Sequence, residues 1–149
     1  MMASLKQING PVVLDVPTDP ASLFLVRCVV KRLSERLAFP GEDGERMVLA
    51  VDEACTNIIR HAYGDGEEGR ITLTFVVRPN ALEIDVRDFG TPTDPGTFKP
   101  RDLADVRPGG LGIHFIRSVM DRVDYLAPPD GGTLLKLVKF RSPEEDTEK

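Results

Sequence analysis

Apolar positions recur along this chain at two distinct periods. From residue 47 onward, Met47, Val51, Cys55, Ile58 and Ala62 gather on one side of a helix turning about 100° per residue. Glu53, Asn57 and Arg60 or His61 fall on the other side. The spacing predicts an amphipathic helix from about Asp43 to Ala62, with Glu45 in an acidic first turn that suits the helix dipole. Upstream, Leu23, Val26, Val30, Leu33 and Leu37 repeat the same period and predict a helix ending near Leu37. Asp19 is placed to cap it, Pro20 suits its first turn, and Phe39-Pro40-Gly41 stops it. Arg27, Lys31, Arg32 and Arg36 line its polar face.

Elsewhere the period is two. Val12, Leu14 and Val16 suggest a short first strand. Ile71, Leu73, Phe75 and Val77 alternate with threonines, and Leu82, Ile84 and Val86 alternate with charged residues after a Pro79-Asn80 turn. That is a hairpin with one buried face, ending at Asp88-Phe89-Gly90. Residues 91–110 break the rhythm with four prolines and three glycines. A connection this long is uncommon in a compact domain unless it is a lid or binding loop. A third helix is expected to emerge from Gly109-Gly110 through Leu111, Gly112, Ile113, His114 and on to Asp121. Val123 and Tyr125 suggest a strand, Pro128 to Gly132 a turn, and Thr133 to Phe140 a last strand. Residues 142–149, with four acids and no apolar anchor, are expected to be a disordered tail. The order predicts an α+β fold: a two-layer sandwich with helices on one face of a mostly antiparallel sheet. Residues 1–141 are expected to form one domain, with the lid loop at 91–110.

Composition narrows the function classes. Of 149 residues, 41% are hydrophobic and 29% charged, as in ordinary globular proteins. A net charge of -5 argues against direct nucleic-acid or anionic-membrane binding. No apolar run approaches membrane-spanning length and no signal core follows the first residues, so a cytoplasmic protein is expected. Cys28 and Cys55 are both expected on buried helix faces as free thiols.

Four small constellations carry candidate chemistry. A glycine pair before a helix offers free N–H groups and the positive end of a dipole, which suits phosphate. It lacks the Gly-Lys-Ser/Thr of a P-loop and the leading strand of a dinucleotide fingerprint. Asp88 at a strand end can accept a hydrogen bond from an exocyclic amine, while Gly90 lets a ring approach the backbone. Asn57 is a neutral oxygen donor able to complete an octahedral Mg²⁺ shell with phosphate oxygens and water. Glu53, one turn away, is placed to accept a proton from whatever attacks a terminal phosphate. Gly132-Thr133 opens the last strand.

In their order and spacing these pieces resemble a known family. Glu53-Ala54-Cys55-Thr56-Asn57-x-x-x-His61-Ala62-Tyr63 is similar to the N box of the ATPase superfamily containing gyrase, MutL and the sensor histidine kinases. More narrowly, it resembles the serine-kinase anti-sigma factors of stress-response and sporulation control. Asp88-Phe89-Gly90 is similar to their adenine-reading box, Gly109-Gly110-Leu111-Gly112-Ile113 to their lid-hinge glycine box, and Gly132-Thr133 to their final threonine. Pro92 stands where the wider superfamily often has a second glycine. The resemblance runs from about Val12 to Phe140 and implies a sandwich of the histidine-kinase-like ATPase type.

By that resemblance the cofactors are ATP and Mg²⁺. Asp88 and Gly90 would form the adenine side, assisted by Thr133, with Asn57 on Mg²⁺ and Glu53 as general base for a protein Ser or Thr hydroxyl. Gly109, Gly110, Leu111, Gly112 and Ile113 would border the triphosphate, with His61 beside the site. His114 reads as a surface or packing residue, and Arg101 and Arg107 as lid charges. The implied function is a serine/threonine kinase and anti-sigma factor. It would phosphorylate a small anti-anti-sigma antagonist and sequester a sigma factor, as a homodimer. Two alternatives stand beside it. One is a non-catalytic ATP-binding partner switch. The other is a stand-alone histidine-kinase-like ATPase domain, disfavoured because no dimerisation helix pair precedes Val12; gyrase- or MutL-like proteins would need a second domain.

Overall fold

The computed structural model describes residues 8–63, 68–90 and 108–141; the side chains of 108–111 are not described. The expected lid, apart from the helical residues 108–110, lies outside the described residues, as do Arg101, Arg107 and the tail 142–149. Strand β1 (Val12–Pro17) leads through a 3-10 turn (Pro20–Ser22) into helix α1 (Leu23–Arg36), followed by α2 (Gly41–His61). Strands β2 (Arg70–Arg78) and β3 (Ala81–Asp88) form the hairpin, and α3 (Pro108–Val119), β4 (Arg122–Leu126) and β5 (Thr133–Phe140) complete the fold. The five strands make one sheet in the order β1-β2-β3-β5-β4. Every neighbouring pair is antiparallel.

The period-two pattern decides which face of the sheet is dry. Ile71, Leu73 and Phe75 of β2, Leu82, Ile84 and Val86 of β3, and Leu135 and Leu137 of β5 are all buried. They form one core with Leu23, Val26, Val30 and Leu33 of α1, Met47, Val51 and Cys55 of α2, and Ile113 and Ile116 of α3. Burial of these side chains, each worth roughly 1.5–3 kcal/mol, holds the two layers together. The other sheet face is mixed: it carries the ion pairs Lys136–Asp85 at 3.1 Å and Arg70–Asp15 at 2.9 Å beside the exposed Val13, Leu126 and Phe140. The strand β1 is an edge, with Val13 exposed and Val16 buried.

Several local expectations shift. Asp19 caps the 3-10 turn rather than α1, accepting the Ala21 N–H at 3.0 Å. Helix α1 ends as expected, with Leu37 as its C-cap just ahead of Phe39-Pro40-Gly41. Ala38 takes φ 63°, and the Ala38 and Phe39 N–H groups donate to the Glu35 and Ser34 carbonyls at 3.0 Å each. This is a Schellman ending with alanine in the left-handed place usually given to glycine. Helix α2 starts at Gly41, so Glu42 and Asp43 supply the acidic first turn. Cys28 is exposed, against expectation, because the buried stripe of α1 runs through Val26 and Val30 and leaves position 28 facing outward. Helix α3 begins at Pro108, a residue suited to a first turn, so Gly109 and Gly110 lie within that turn rather than before it.

Candidate functional site

The candidate residues fall in two groups: Asp88, Gly90 and Thr133 at the end of the sheet where β3 stops and β5 starts, and Glu53 and Asn57 on α2, with Glu53 against Gly112 of α3. Asp88 and Thr133 are direct register partners, which puts both side chains on the helix-facing side of the sheet. Asp88 is 1% exposed and Thr133 7%. The Thr133 hydroxyl donates to Asp88 Oδ2, and the Gly90 N–H donates to Asp88 Oδ1 at 3.0 Å. A buried carboxylate is tolerable because two donors satisfy it.

Glycine is required on both sides of this pair. Gly132 has φ 69°, and a Cβ there would lie 2.0 Å from the Asp88 carbonyl oxygen. A Cβ on Gly90 would lie 2.1 Å from the Ala62 carbonyl oxygen, so the chain leaving β3 presses directly on the end of α2.

Two residues that sequence reasoning passed over hold this corner. Tyr63, just past α2, donates its hydroxyl to the Arg70 carbonyl at 3.0 Å and accepts the N–H of Phe89 at 3.0 Å and of Arg70 at 3.4 Å. One phenol thus joins α2 to the start of β2 and the exit of β3. Arg87 donates to the backbone carbonyls of Asp88 at 3.1 Å and Gly131 at 2.8 Å, and to the Asp130 carboxylate at 2.7 Å. Its guanidinium also stands 4.3 Å from the Phe89 ring centroid. The available signal for Tyr63 was its place at the end of the quoted box. For Arg87, adjacency to Asp88 gave no hint of the cross-strand reach.

On α2 the two polar candidates differ in state. Asn57 Oδ1 is buried and has no hydrogen-bond partner. Burial raises the Glu53 carboxyl above its ordinary value, with Arg60 pulling it down and Asp52 pushing it up. Its Oε2 lies where a Cβ on Gly112 would come within 2.1 Å, so the carboxylate rests against the backbone of α3. Burial likewise raises the Tyr125 phenol of β4, with Arg117, Asp88 and Glu53 all acting on it.

The remaining candidates take plainer places. His61 is exposed in the last turn of α2, and His114 is exposed on α3. Ile113 is a core residue, 3% exposed, that anchors the start of α3. Gly109, Gly110 and Leu111 belong to the first turn of α3, whose N–H groups have no carbonyl earlier in the helix to pair with. Among the described residues, no group of three or more His, Cys, Asp or Glu side chains is arranged to hold a metal. The described residues therefore offer a satisfied buried acid, an unsatisfied neutral oxygen, a carboxylate of raised pKa and a helix N-terminus.

Residues 16–139 match the histidine kinase-like ATPase domain family. The serine-protein kinase RsbW of Halalkalibacterium halodurans is 32% identical over 89% of this chain and 84% of its own length. The serine-protein kinase RsbW of Listeria monocytogenes is 34% identical over 80% of this chain and 81% of its own. Among solved structures, the RsbU and RsbW domains of a Mycobacterium tuberculosis protein superpose with a TM-score of 0.63 at 15% identity. That match covers 91% of this chain and 34% of the other, and speaks to the fold. No helix among the described residues is long and apolar enough to cross a membrane.

Proposed function

This chain belongs to the histidine kinase-like ATPase domain family and to its RsbW serine-protein kinase branch, and from that premise we propose how its site works. It is an ATP-dependent protein serine kinase of the partner-switching, anti-sigma type. Its protein substrate is a small anti-anti-sigma antagonist bearing a serine or threonine, and its second partner is a sigma factor, held when the antagonist is phosphorylated. We assign it a homodimeric, cytoplasmic state on family likeness.

The observation that carries the site assignment is Asn57 Oδ1, a buried carbonyl oxygen without a partner one helical turn from Glu53. An orphaned oxygen of this kind is costly unless a ligand satisfies it. A neutral oxygen suits Mg²⁺, which binds few protein atoms and takes its other ligands from phosphate and water. Bound Mg·ATP supplies the phosphoryl group and neutralises the charge that spreads over it during transfer.

The chain's own residues bind, orient and move a proton. Asp88 has one carboxylate oxygen engaged by Thr133 and the other by Gly90, and each retains acceptor capacity for the adenine amino group. The N–H groups of the first turn of α3, at Gly109, Gly110 and Leu111, face phosphate with the positive helix end. Glu53 takes the proton of the attacking hydroxyl, and a raised pKa brings it nearer the range in which a base works at neutral pH.

A pull-down with the full chain in Mg·ATP and in Mg·ADP, followed by phosphosite mapping of the retained protein, tests the reading. The expected result is one phosphorylated Ser or Thr on the retained protein, lost with Glu53→Gln. Binding of ATP without transfer to that partner would favour the non-catalytic switch, and full transfer by Glu53→Gln would refute Glu53 as the base while leaving the kinase reading in place.

A further inference from the structure

The first turns of α3 and the middle of α2 touch at one point that neither nucleotide recognition nor metal binding requires. Glu53 Oε2, Cγ and Cδ lie 2.1, 2.5 and 2.6 Å from where a Cβ on Gly112 would stand. Any side chain at residue 112 would therefore occupy the volume now held by the carboxylate. Gly112 is itself buried, and Ile113 beside it is locked into the core, so the backbone that the carboxylate rests on is fixed from behind.

We infer that Gly112 is a positioning residue for Glu53: its bare backbone is the seat that sets the direction of the carboxylate. This goes beyond a hinge role for the glycine and rests on Glu53 being the base. Helix position and base direction are then mechanically linked. A shift of α3 relative to α2 moves the seat, and the carboxylate turns with it. The link is selective because Glu53 is long and flexible. A methyl group at residue 112 turns Glu53 to another χ1 rotamer, since Cγ as well as the carboxylate lies in its way, and leaves the helix packing intact because the clash is with a side chain and not with backbone.

The test uses the full chain carrying Gly112→Ala, Glu53→Ala and both together. Carboxyl ¹³C resonances are recorded on glutamate-labelled protein, with Glu53 assigned by its loss in Glu53→Gln. In Gly112→Ala the Glu53 resonance is expected to move toward the solvent-exposed position while the other glutamate resonances of the folded chain stay in place. Phosphoryl transfer from ATP to the retained partner is expected to fall at least about tenfold, the loss of rate expected when a proton acceptor leaves its position. Added to Glu53→Ala, Gly112→Ala is expected to cost less than about threefold of the residual transfer, because a side chain ending at Cβ no longer reaches the seat. An unmoved Glu53 resonance overturns the inference, as does an equal cost of Gly112→Ala in both backgrounds. Full transfer by Glu53→Gln would sink the base assignment instead, and the resonance shift would still report on the seat.

Discussion

Replacing Asn57 with alanine should make the empty protein more stable and the nucleotide-loaded protein less so. Oδ1 of this residue is buried without a partner. A buried polar group left unpaired costs about 1–3 kcal/mol, and the mid-helix preference for alanine over asparagine adds up to ~0.7 kcal/mol. Against this stands the loss of a partly buried side chain's contacts, about 1 kcal/mol. The balance is a gain of ~1 kcal/mol, read as a melting temperature about 2–4 °C higher for a chain of this size. With Mg²⁺ and ATP the order reverses. The wild-type chain gains stability by mass action, about 2.7 kcal/mol at a hundredfold excess over Kd. The variant, short of one metal ligand, should bind Mg·ATP at least about tenfold more weakly, a loss of roughly 1.4 kcal/mol. Differential scanning fluorimetry with Mg²⁺ or EDTA, with and without ATP, separates the two effects. The reasoning fails if the empty variant melts lower than wild type by several degrees, or if Mg²⁺ still enhances ATP binding to the same extent.

Further outcomes follow from other contacts. Thr133→Val removes the hydroxyl that donates to the buried Asp88 carboxylate and should cost about 1–3 kcal/mol in urea denaturation, with weaker ATP binding; an unchanged midpoint would contradict the pairing. Tyr63→Phe should speed amide exchange at Phe89, whose N–H it accepts, while exchange at Val86 in mid-strand stays slow. Ala38→Gly should stabilise by about 1 kcal/mol, because a left-handed φ strains alanine and not glycine. One thiol, Cys28, should react with a disulfide reagent in the folded chain at pH 8, and Cys55 only after unfolding. Burial pushes the Cys55 thiol up to about 12 from an ordinary 9.0. The folded state therefore keeps that proton when the unfolded state has lost it. The associated stability is fully present below pH 9 and is lost as pH rises toward about 12, which alkaline denaturation of wild type against Cys55→Ala measures.

Much of the architecture was legible because it follows from local periodicity. The buried stripe of α2 at Met47, Val51, Cys55, Ile58 and Ala62 is a helical repeat, and each of these side chains is buried. The hairpin of β2 and β3 is an alternation, and the alternation places Asp88 on the dry side without knowledge of any partner. Resemblance supplied the rest of the functional reading, since Glu53, Asn57, Asp88 and Thr133 are ordinary residues until their order is recognised.

What tertiary structure alone decided is which groups meet and in what state. Thr133 lies 45 residues from Asp88 in sequence, and their direct pairing depends on β5 inserting between β3 and β4. Arg87 reaching across to Gly131 and Asp130, and Tyr63 bonding both β2 and the exit of β3, are likewise long-range contacts that no period encodes. The outward turn of Cys28 shows the limit within one helix: spacing assigns a stripe, but packing against α2 and the sheet decides where the stripe is centred. Above all, the seat of Glu53 on Gly112 joins two motifs that looked independent along the chain. A glutamate at helix spacing from an asparagine says that a carboxylate is available. The bare backbone pressed against it from another helix decides what that carboxylate rests on.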